Sequence, residues 1–129
     1  MTPDGRELSI YAAIGFSVWL SGAVEVWFAG RHLFESGAGV TLLSAIFIAV
    51  GVCWIFRSTM RWRKAPPSQA VTIAVAMALP GLFGEPGRQL LFGWATGLQA
   101  RTQPAFAATL FFGNTALLAY AMFRQYRAR

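Results

Sequence analysis

Four long apolar segments constrain what this chain can fold into more than any other feature of its sequence. They span about residues 8–28, 40–56, 68–85 and 104–123 of a single domain, 1–129. Each approaches the length of about 20 residues that a helix needs to cross a bilayer. The segments are apolar on nearly all faces and lack the alternation typical of a strand. The sequence therefore predicts an all-α, integral membrane four-helix bundle.

The content and placement of charged residues favour the same class of protein. Charged residues make up 12% of the chain, against about 25% in an average soluble domain. The net charge of +6 would suggest nucleic-acid binding in a soluble protein. Here the basic residues flank the apolar segments, so we expect membrane lipids as partners and no nucleic acid.

The third apolar segment is interrupted by proline. Because Pro80 removes one bond of the helix, we expect a kink at Pro80-Gly81. The second pair, Pro86-Gly87, leaves residues 86–98 open to three interpretations: a helical extension to about 97, a re-entrant segment or an interfacial segment. A fifth span, or a re-entrant loop after Pro80, is the main alternative to four spans.

The basic residues predict the orientation in the membrane. With four spans, eight of the eleven lie on one side: Arg6, Arg57, Arg61, Arg63, Lys64, Arg124, Arg127 and Arg129. By the positive-inside rule we expect both termini and the 57–64 loop in the cytoplasm, with the protein in the inner membrane of a prokaryote. We expect Arg57, Arg61, Arg63 and Lys64 to anchor this loop on lipid headgroups.

Two acidic residues in or beside the spans are the candidate site. Glu25 and Glu85 each lie roughly 16 residues, or about 24 Å, from the predicted cytoplasmic end of their segments. Arg88 follows Glu85 by about one turn, and Arg31 and His32 follow Glu25 by about two. The sequence therefore predicts a cluster of these five residues near the outer face. It is either an ion-pair network that holds helices together or a substrate or proton site.

Other polar and small residues within the spans suggest packing positions. Asn114 lies near the middle of the fourth segment, where it either lines a cavity or donates a hydrogen bond between helices. Small residues recur at a spacing of four, which is typical of close helix contacts. The pairs are Ser17 and Ser21, Ala45 and Ala49, and Thr109 and Gly113.

The second half of the chain resembles an uncharacterised bacterial family of four-span membrane proteins, the DUF5367-type group. RWRK (61–64), ALPG (78–81) and FFGNTALLAYAMF (111–123) are similar to that family's YRWR-like loop, PGM-L-D step and FGAWLLWAYG-like last helix. Glu85 lies near the family's acidic position, and Asn114 replaces an expected small residue. The resemblance implies four spans and no particular activity.

A second stretch, AVEVWFAGRHLFESGAG (23–39), is similar to the first helix of small multidrug resistance transporters. Glu25-Val26 and Ser36-Gly37 are the matching positions. The resemblance implies an antiparallel dimer in which Glu25 binds protons and cationic drugs. The tryptophan-glycine signature of that family's third helix is missing, and the strong charge bias departs from dual topology.

No catalytic or metal-binding motif is recognisable in the sequence. We therefore expect no enzyme activity, no metal site and no cofactor. The favoured function is that of a small structural or accessory membrane subunit, or interaction protein, that forms a homo-oligomer or binds a membrane partner. The alternative is a small proton- or cation-coupled transporter or permeation protein that uses Glu25 and Glu85.

Cysteine labelling tests the predicted orientation, because Cys53 is the chain's single cysteine. In a Cys53→Ser background, we expect Ser36→Cys to react with a membrane-impermeant maleimide in intact cells. Ser68→Cys, in the predicted cytoplasmic connection, should react only after the cells are permeabilised. The reverse labelling pattern would contradict the orientation.

Overall fold

The computed structural model describes residues 2–93 and 97–128, and these residues form four helices and no strand. The helices are α1 (Gly5–Phe34), α2 (Ala38–Trp62), α3 (Ala70–Leu91) and α4 (Gln103–Arg127), with a 3-10 turn (Pro67–Gln69) before α3. All four are long and apolar enough to cross a membrane. The predicted all-α membrane bundle of four helices is therefore confirmed.

The helix boundaries follow from local sequence. The Asp4 side chain caps α1 by accepting a hydrogen bond from the backbone N–H of Glu7 at 2.7 Å. A three-residue turn separates α1 from α2, and Gly37 adopts a φ of 124° there, which side chains disfavour. We call the end of the bundle with both termini the terminal end, and the end with this turn the distal end.

Helix α3 continues through both of its prolines. Pro80 and Pro86 lie inside the helix, which ends at Leu91. A proline has no N–H, so the carbonyls of Ala76 and Leu82 lack their usual helical donors. For the residues directly after Pro86, the helical extension is the correct interpretation. The predicted extension to 97 includes residues 94–96, which lie outside the described residues.

Small residues bring α1 and α3 together. Helix α1 packs mainly against α3, and α2 packs mainly against α4. A Cβ atom added at Gly15 of α1 would overlap the backbone carbonyl of Met77 in α3. The backbone of Met77 cannot rotate away as a side chain could. The two helices can therefore approach this closely only because residue 15 is glycine. Such contacts are typical of membrane helices, whose association depends on close packing.

Two of the three predicted small-residue pairs lie in the seam between α2 and α4. Ala45 and Ala49 are buried on α2, as are Thr109 and Gly113 on α4. A Cβ at Gly113 would lie 3.5 Å from a methyl group of Ile48, which is an ordinary van der Waals contact across the seam. The third pair, Ser17 and Ser21, is exposed on α1 instead.

Large apolar side chains cover the outside of the bundle. Phe28, Phe47 and Phe83 are 79%, 80% and 77% exposed, respectively. A soluble monomer rarely presents so much apolar surface, whereas lipid accommodates it. The buried core is built mainly from small residues of α3 near the terminal end, where Tyr11, Phe56 and Leu117 surround them.

Substitution of Gly15 tests the close contact between α1 and α3. We expect Gly15→Ala to lower the free energy of unfolding by about 1–3 kcal/mol, because the added methyl group overpacks the seam. Gly22→Ala on the same helix is the matched control, since a Cβ there meets nothing within 4 Å. It should be neutral or stabilising by up to about 1 kcal/mol. Unfolding titrations in mixed detergent micelles measure both, and equal stabilities would contradict the contact.

Candidate functional site

The carboxylate of Glu85 is a hydrogen-bonded polar group inside the bundle, and this residue is 6% exposed. Its Oε1 accepts hydrogen bonds from Arg88 Nη2 at 2.7 Å and Gln89 Nε2 at 3.0 Å. Its Oε2 accepts from Trp19 Nε1 at 3.1 Å and Arg88 Nε at 3.2 Å. Both oxygens therefore have two donors each, as a buried carboxylate needs.

The course of α3 places three of these four side chains. Arg88 and Gln89 follow Glu85 by three and four residues, so one turn of helix brings all three to one face. This geometry requires the helix to continue past Pro86, which it does. A break at Pro86 would separate the carboxylate from its guanidinium partner.

Glycines of α3 make room for the fourth side chain, Trp19 of α1. A Cβ at Gly84 would come within 2.9 Å of the indole ring, and one at Gly81 within 3.6 Å. The ring therefore lies directly over the backbone of α3, with its N–H directed at Glu85. Gly84 is thus part of the site, because a larger residue there would displace the indole donor, whereas a Cβ at Gly81 would make an ordinary van der Waals contact with the ring.

The ion pair connects three helices. The side chains of Arg88 and Glu85 are only 11% and 8% exposed, and the guanidinium binds the carboxylate through two nitrogens. The Arg88 guanidinium carbon also lies 5.4 Å from the centre of the Phe106 ring in α4. Together with Trp19, the pair links α1, α3 and α4 at one level of the bundle.

A cavity of about 340 Å³ lies beside this ion pair, between α3 and α4. Its walls are mostly apolar, and Glu85, Gln89 and Asn114 contribute polar atoms. Asn114 Nδ2 donates to the Leu110 carbonyl of its own helix at 2.9 Å. Asn114 is therefore both a cavity-lining residue and internally hydrogen-bonded, and no hydrogen bond from it to another helix is observed among the described residues.

Glu25 does not join the predicted cluster. It is exposed on α1 and forms no ion pair with any described residue. Successive helical residues turn by about 100°, so Glu25 lies about 120° around the axis from Trp19, the residue that contacts Glu85. Equal depth along parallel helices was the basis of the prediction, but Glu25 lies six residues, or about 9 Å, beyond the level at which α1 contacts Glu85, and it lies on a different side of the helix.

Arg31 and His32 are also separate from Glu85. Arg31 Nε donates to the Gly97 carbonyl at 3.1 Å, and His32 is exposed. Glu35, which the sequence prediction missed, accepts hydrogen bonds from Gln99 N at 3.0 Å and Thr102 Oγ1 at 3.4 Å. The end of α1 therefore holds the segment before α4 through two side chains spaced by one turn.

The basic loop at the terminal end is mostly open to its surroundings. Arg57, Arg61 and Lys64 are exposed, as a headgroup anchor requires. Arg63 is partly buried, with its Nη2 3.6 Å from Glu7 Oε1 in α1. Whether these residues bind lipid stays a prediction. Across the described residues, no group of three or more His, Cys, Asp and Glu could hold a metal ion.

Trp19, Gln89 and Phe106 complete the site but were not predicted from the sequence. One signal was available, because Gly81, Gly84 and Glu85 lie on one face of α3 at spacings of three and four. That pattern indicates a slot for a bulky side chain next to a carboxylate. It does not say which helix supplies the side chain.

The four apolar helices indicate a multi-pass membrane protein. Its buried ion pair in α3 contacts Trp19 of α1 and Phe106 of α4. A family of unknown function, DUF5367, matches residues 33–128, and the chain belongs to it, as predicted from the second half of the sequence. Glu85, Arg88 and Asn114 lie within the match, whereas Trp19 and Glu25 precede it. No curated protein and no solved structure matches the chain, and similarity to small multidrug resistance transporters is not shown.

A double-mutant cycle tests the energetic role of the ion pair. We expect Glu85→Ala and Arg88→Ala each to cost about 3–5 kcal/mol of unfolding free energy, because each leaves a buried charge without its partner. The double variant should cost much less than the sum of the two. Unfolding titrations in micelles give the four values, and additive costs would contradict a coupled pair.

The Glu7–Arg63 pair provides the control for this cycle. Its side chains are 38% and 30% exposed, and the separation is longer, 3.6 Å. Such pairs contribute about 1 kcal/mol or less. Glu7→Ala should therefore have a small effect on the same titration.

Proposed function

We propose that the protein is a structural or accessory membrane subunit that binds a partner membrane protein through the outward face of α1. The observation that carries this proposal is the exposure of Glu25 within a span that also presents small residues outward. No catalytic activity is part of the proposal. We further propose the inner membrane as its location, with both termini in the cytoplasm, on the basis of the basic residues.

The outward face of α1 has the composition of a helix-binding surface. Ala13, Ser17, Ser21 and Glu25 are all exposed and follow one another at intervals of four, so they form one continuous row. The serine hydroxyls donate to carbonyls of their own helix at 2.9 and 2.8 Å. The two serines therefore need no polar group from a partner. Glu25 is the one polar residue of this row whose side chain has no polar contact with a described residue. Larger exposed side chains flank it: Phe16, Leu20, Val24 and Phe28.

The small-residue pairs on α2 and α4 lie where two helices of this chain pack against each other. Both pairs are buried in one seam. The row on α1 has the same spacing, yet no described residue of the chain covers it. Because small rows in membrane helices allow two backbones to approach closely, a helix from another molecule fits this surface.

The charge of Glu25 indicates what the partner provides. An ionised side chain at the centre of a membrane helix costs about 2.5–3.5 kcal/mol on insertion scales, and less near the interface. Glu25 lies about 24 Å along the span, nearer the distal end. A partner helix with Arg, Lys or His at this level removes much of the remaining cost by forming an ion pair.

A second copy of the chain fits this face less well. Two copies in the same orientation would associate through identical surfaces, which places Glu25 against Glu25. Like charges at such a position oppose association. We therefore favour a different protein as the partner.

The transport hypothesis has less support in the geometry. Glu25 lines neither the cavity beside Glu85 nor an open groove of about 670 Å³ between α2 and α4. Glu85 already accepts four hydrogen bonds. Among the described residues, neither of these two cavities brings the two carboxylates together.

Site-specific photocrosslinking in native membranes tests the proposal. A benzophenone amino acid at Ser21 should give a discrete crosslinked product, and one at Phe83, exposed on α3, should not. Mass spectrometry of the product should place the crosslink on a membrane helix of another protein, next to a basic residue. Crosslinks to a second copy, or to lipid alone at both positions, would overturn the proposal.

Charge exchange then tests the role of Glu25. We expect Glu25→Lys to reduce the Ser21 crosslink at least tenfold while leaving the amount of folded protein unchanged, since the side chain is exposed. Replacing the partner's basic residue with Glu should restore the product in the Glu25→Lys background. An undiminished crosslink in Glu25→Lys would contradict a role for the carboxylate.

A further inference from the structure

A second surface, on the opposite helices, has the shape of a binding site. An open groove of about 670 Å³ lies at the distal end between α2 and α4. Its mouth contains the polar residues Glu35, Thr41, Arg101 and Thr102. Further along the helices the lining is mostly apolar and includes Ala45 and Phe112, while the hydroxyl of Thr109 donates to a carbonyl of its own helix. The groove is thus polar at one end and apolar along its length.

Two opposite charges lie at the mouth and are not paired with each other. No salt bridge joins Glu35 to Arg101 in the described part of the chain. Glu35 Oε1 is occupied by Gln99 N and Thr102 Oγ1, but Oε2 accepts no hydrogen bond from described residues. Arg101 is exposed, and its guanidinium donates to no described residue. A ligand with both signs of charge would complement this mouth.

The apolar part of the groove extends into the span. From the turn at Gly37 to Ala45 the wall covers eight residues of α2, or about 12 Å along the helix axis. Alanines on both sides, Ala45 on α2 and Ala105 and Ala108 on α4, keep the groove open where larger side chains would close it. This depth and surface suit a hydrocarbon chain that lies parallel to the helices.

We propose that this groove binds a membrane phospholipid with a phosphoethanolamine headgroup. The headgroup ammonium donates to Glu35, the phosphate accepts from Arg101, and one acyl chain lies between α2 and α4. Phosphatidylglycerol offers the same phosphate to Arg101 but has no ammonium to neutralise the Glu35 carboxylate, so the two negative charges at the mouth stay uncompensated. The site is separate from the basic loop at the terminal end and from the α1 face, so it does not depend on the proposed function.

Native mass spectrometry of the detergent-solubilised full chain tests the proposal, with phosphatidylethanolamine or phosphatidylglycerol of identical acyl chains as probes. We expect the wild type to prefer phosphatidylethanolamine by about tenfold. Arg101→Ala should weaken binding of both lipids about tenfold, the usual effect of one lost charge-assisted hydrogen bond. Glu35→Gln should reduce the preference between headgroups toward one, because the amide no longer attracts an ammonium or repels an anion.

Two further variants separate the groove from general charge effects. Ala108→Phe fills the groove without changing charge, and since Ala108 is exposed the fold should be retained. It should reduce binding of phosphatidylethanolamine about tenfold. Arg57→Ala removes one exposed positive charge at the terminal end and should leave the distal preference unchanged. Equal affinity of the wild type for both lipids, or unchanged binding in Ala108→Phe, would overturn the proposal.

Discussion

The close approach of α1 to α3 at Gly15 is the contact on which the rest of the structure depends. In lipid, helices gain little from burying apolar surface, so their association relies on tight packing and polar contacts. Gly15 allows the α1 backbone to contact the Met77 carbonyl. One turn further, the same approach lays Trp19 over Gly84 and directs its N–H to Glu85. One of the four hydrogen bonds to the buried carboxylate, the one from Trp19, therefore depends on the contact between these two helices.

The ion pair of Glu85 and Arg88 is the point at which α1, α3 and α4 make polar and aromatic contacts with one another. Glu85 and Arg88 satisfy each other within one helix, and the remaining contacts come from Trp19 of α1 and Phe106 of α4. A buried pair of this kind contributes little net stability relative to apolar residues, but it strongly disfavours any arrangement that breaks it. Because the pair lies within α3, the contacts that favour one packing of the three helices are those of Trp19 and Phe106 with it.

Two surfaces remain for other molecules, and they differ in chemistry. The outward face of α1 is a narrow row of small residues that ends in one negative charge, which suits a helix with a basic residue. The groove between α2 and α4 has both charges at its mouth and an apolar interior, which suits a lipid. The row on α1 contains Ala13, Ser17, Ser21 and Glu25, whereas the groove is lined mainly by α2 and α4 and meets α1 only at its distal end, at Phe34 and Glu35.

The sequence by itself determined the class of protein, the number of helices and the family. Segment length and apolar content establish these, because spanning a bilayer demands about 20 apolar residues whatever the packing. Only the tertiary structure decided that the carboxylate of Glu85 is buried between helices while that of Glu25 is exposed. Counted from the sequence, Glu25 and Glu85 have similar depth along their segments, but α1 contacts Glu85 at Trp19, about 9 Å before Glu25 along the helix axis. The facing side of α1 is set by where Gly15 meets Met77, and that contact directs Trp19 inward and Glu25 outward.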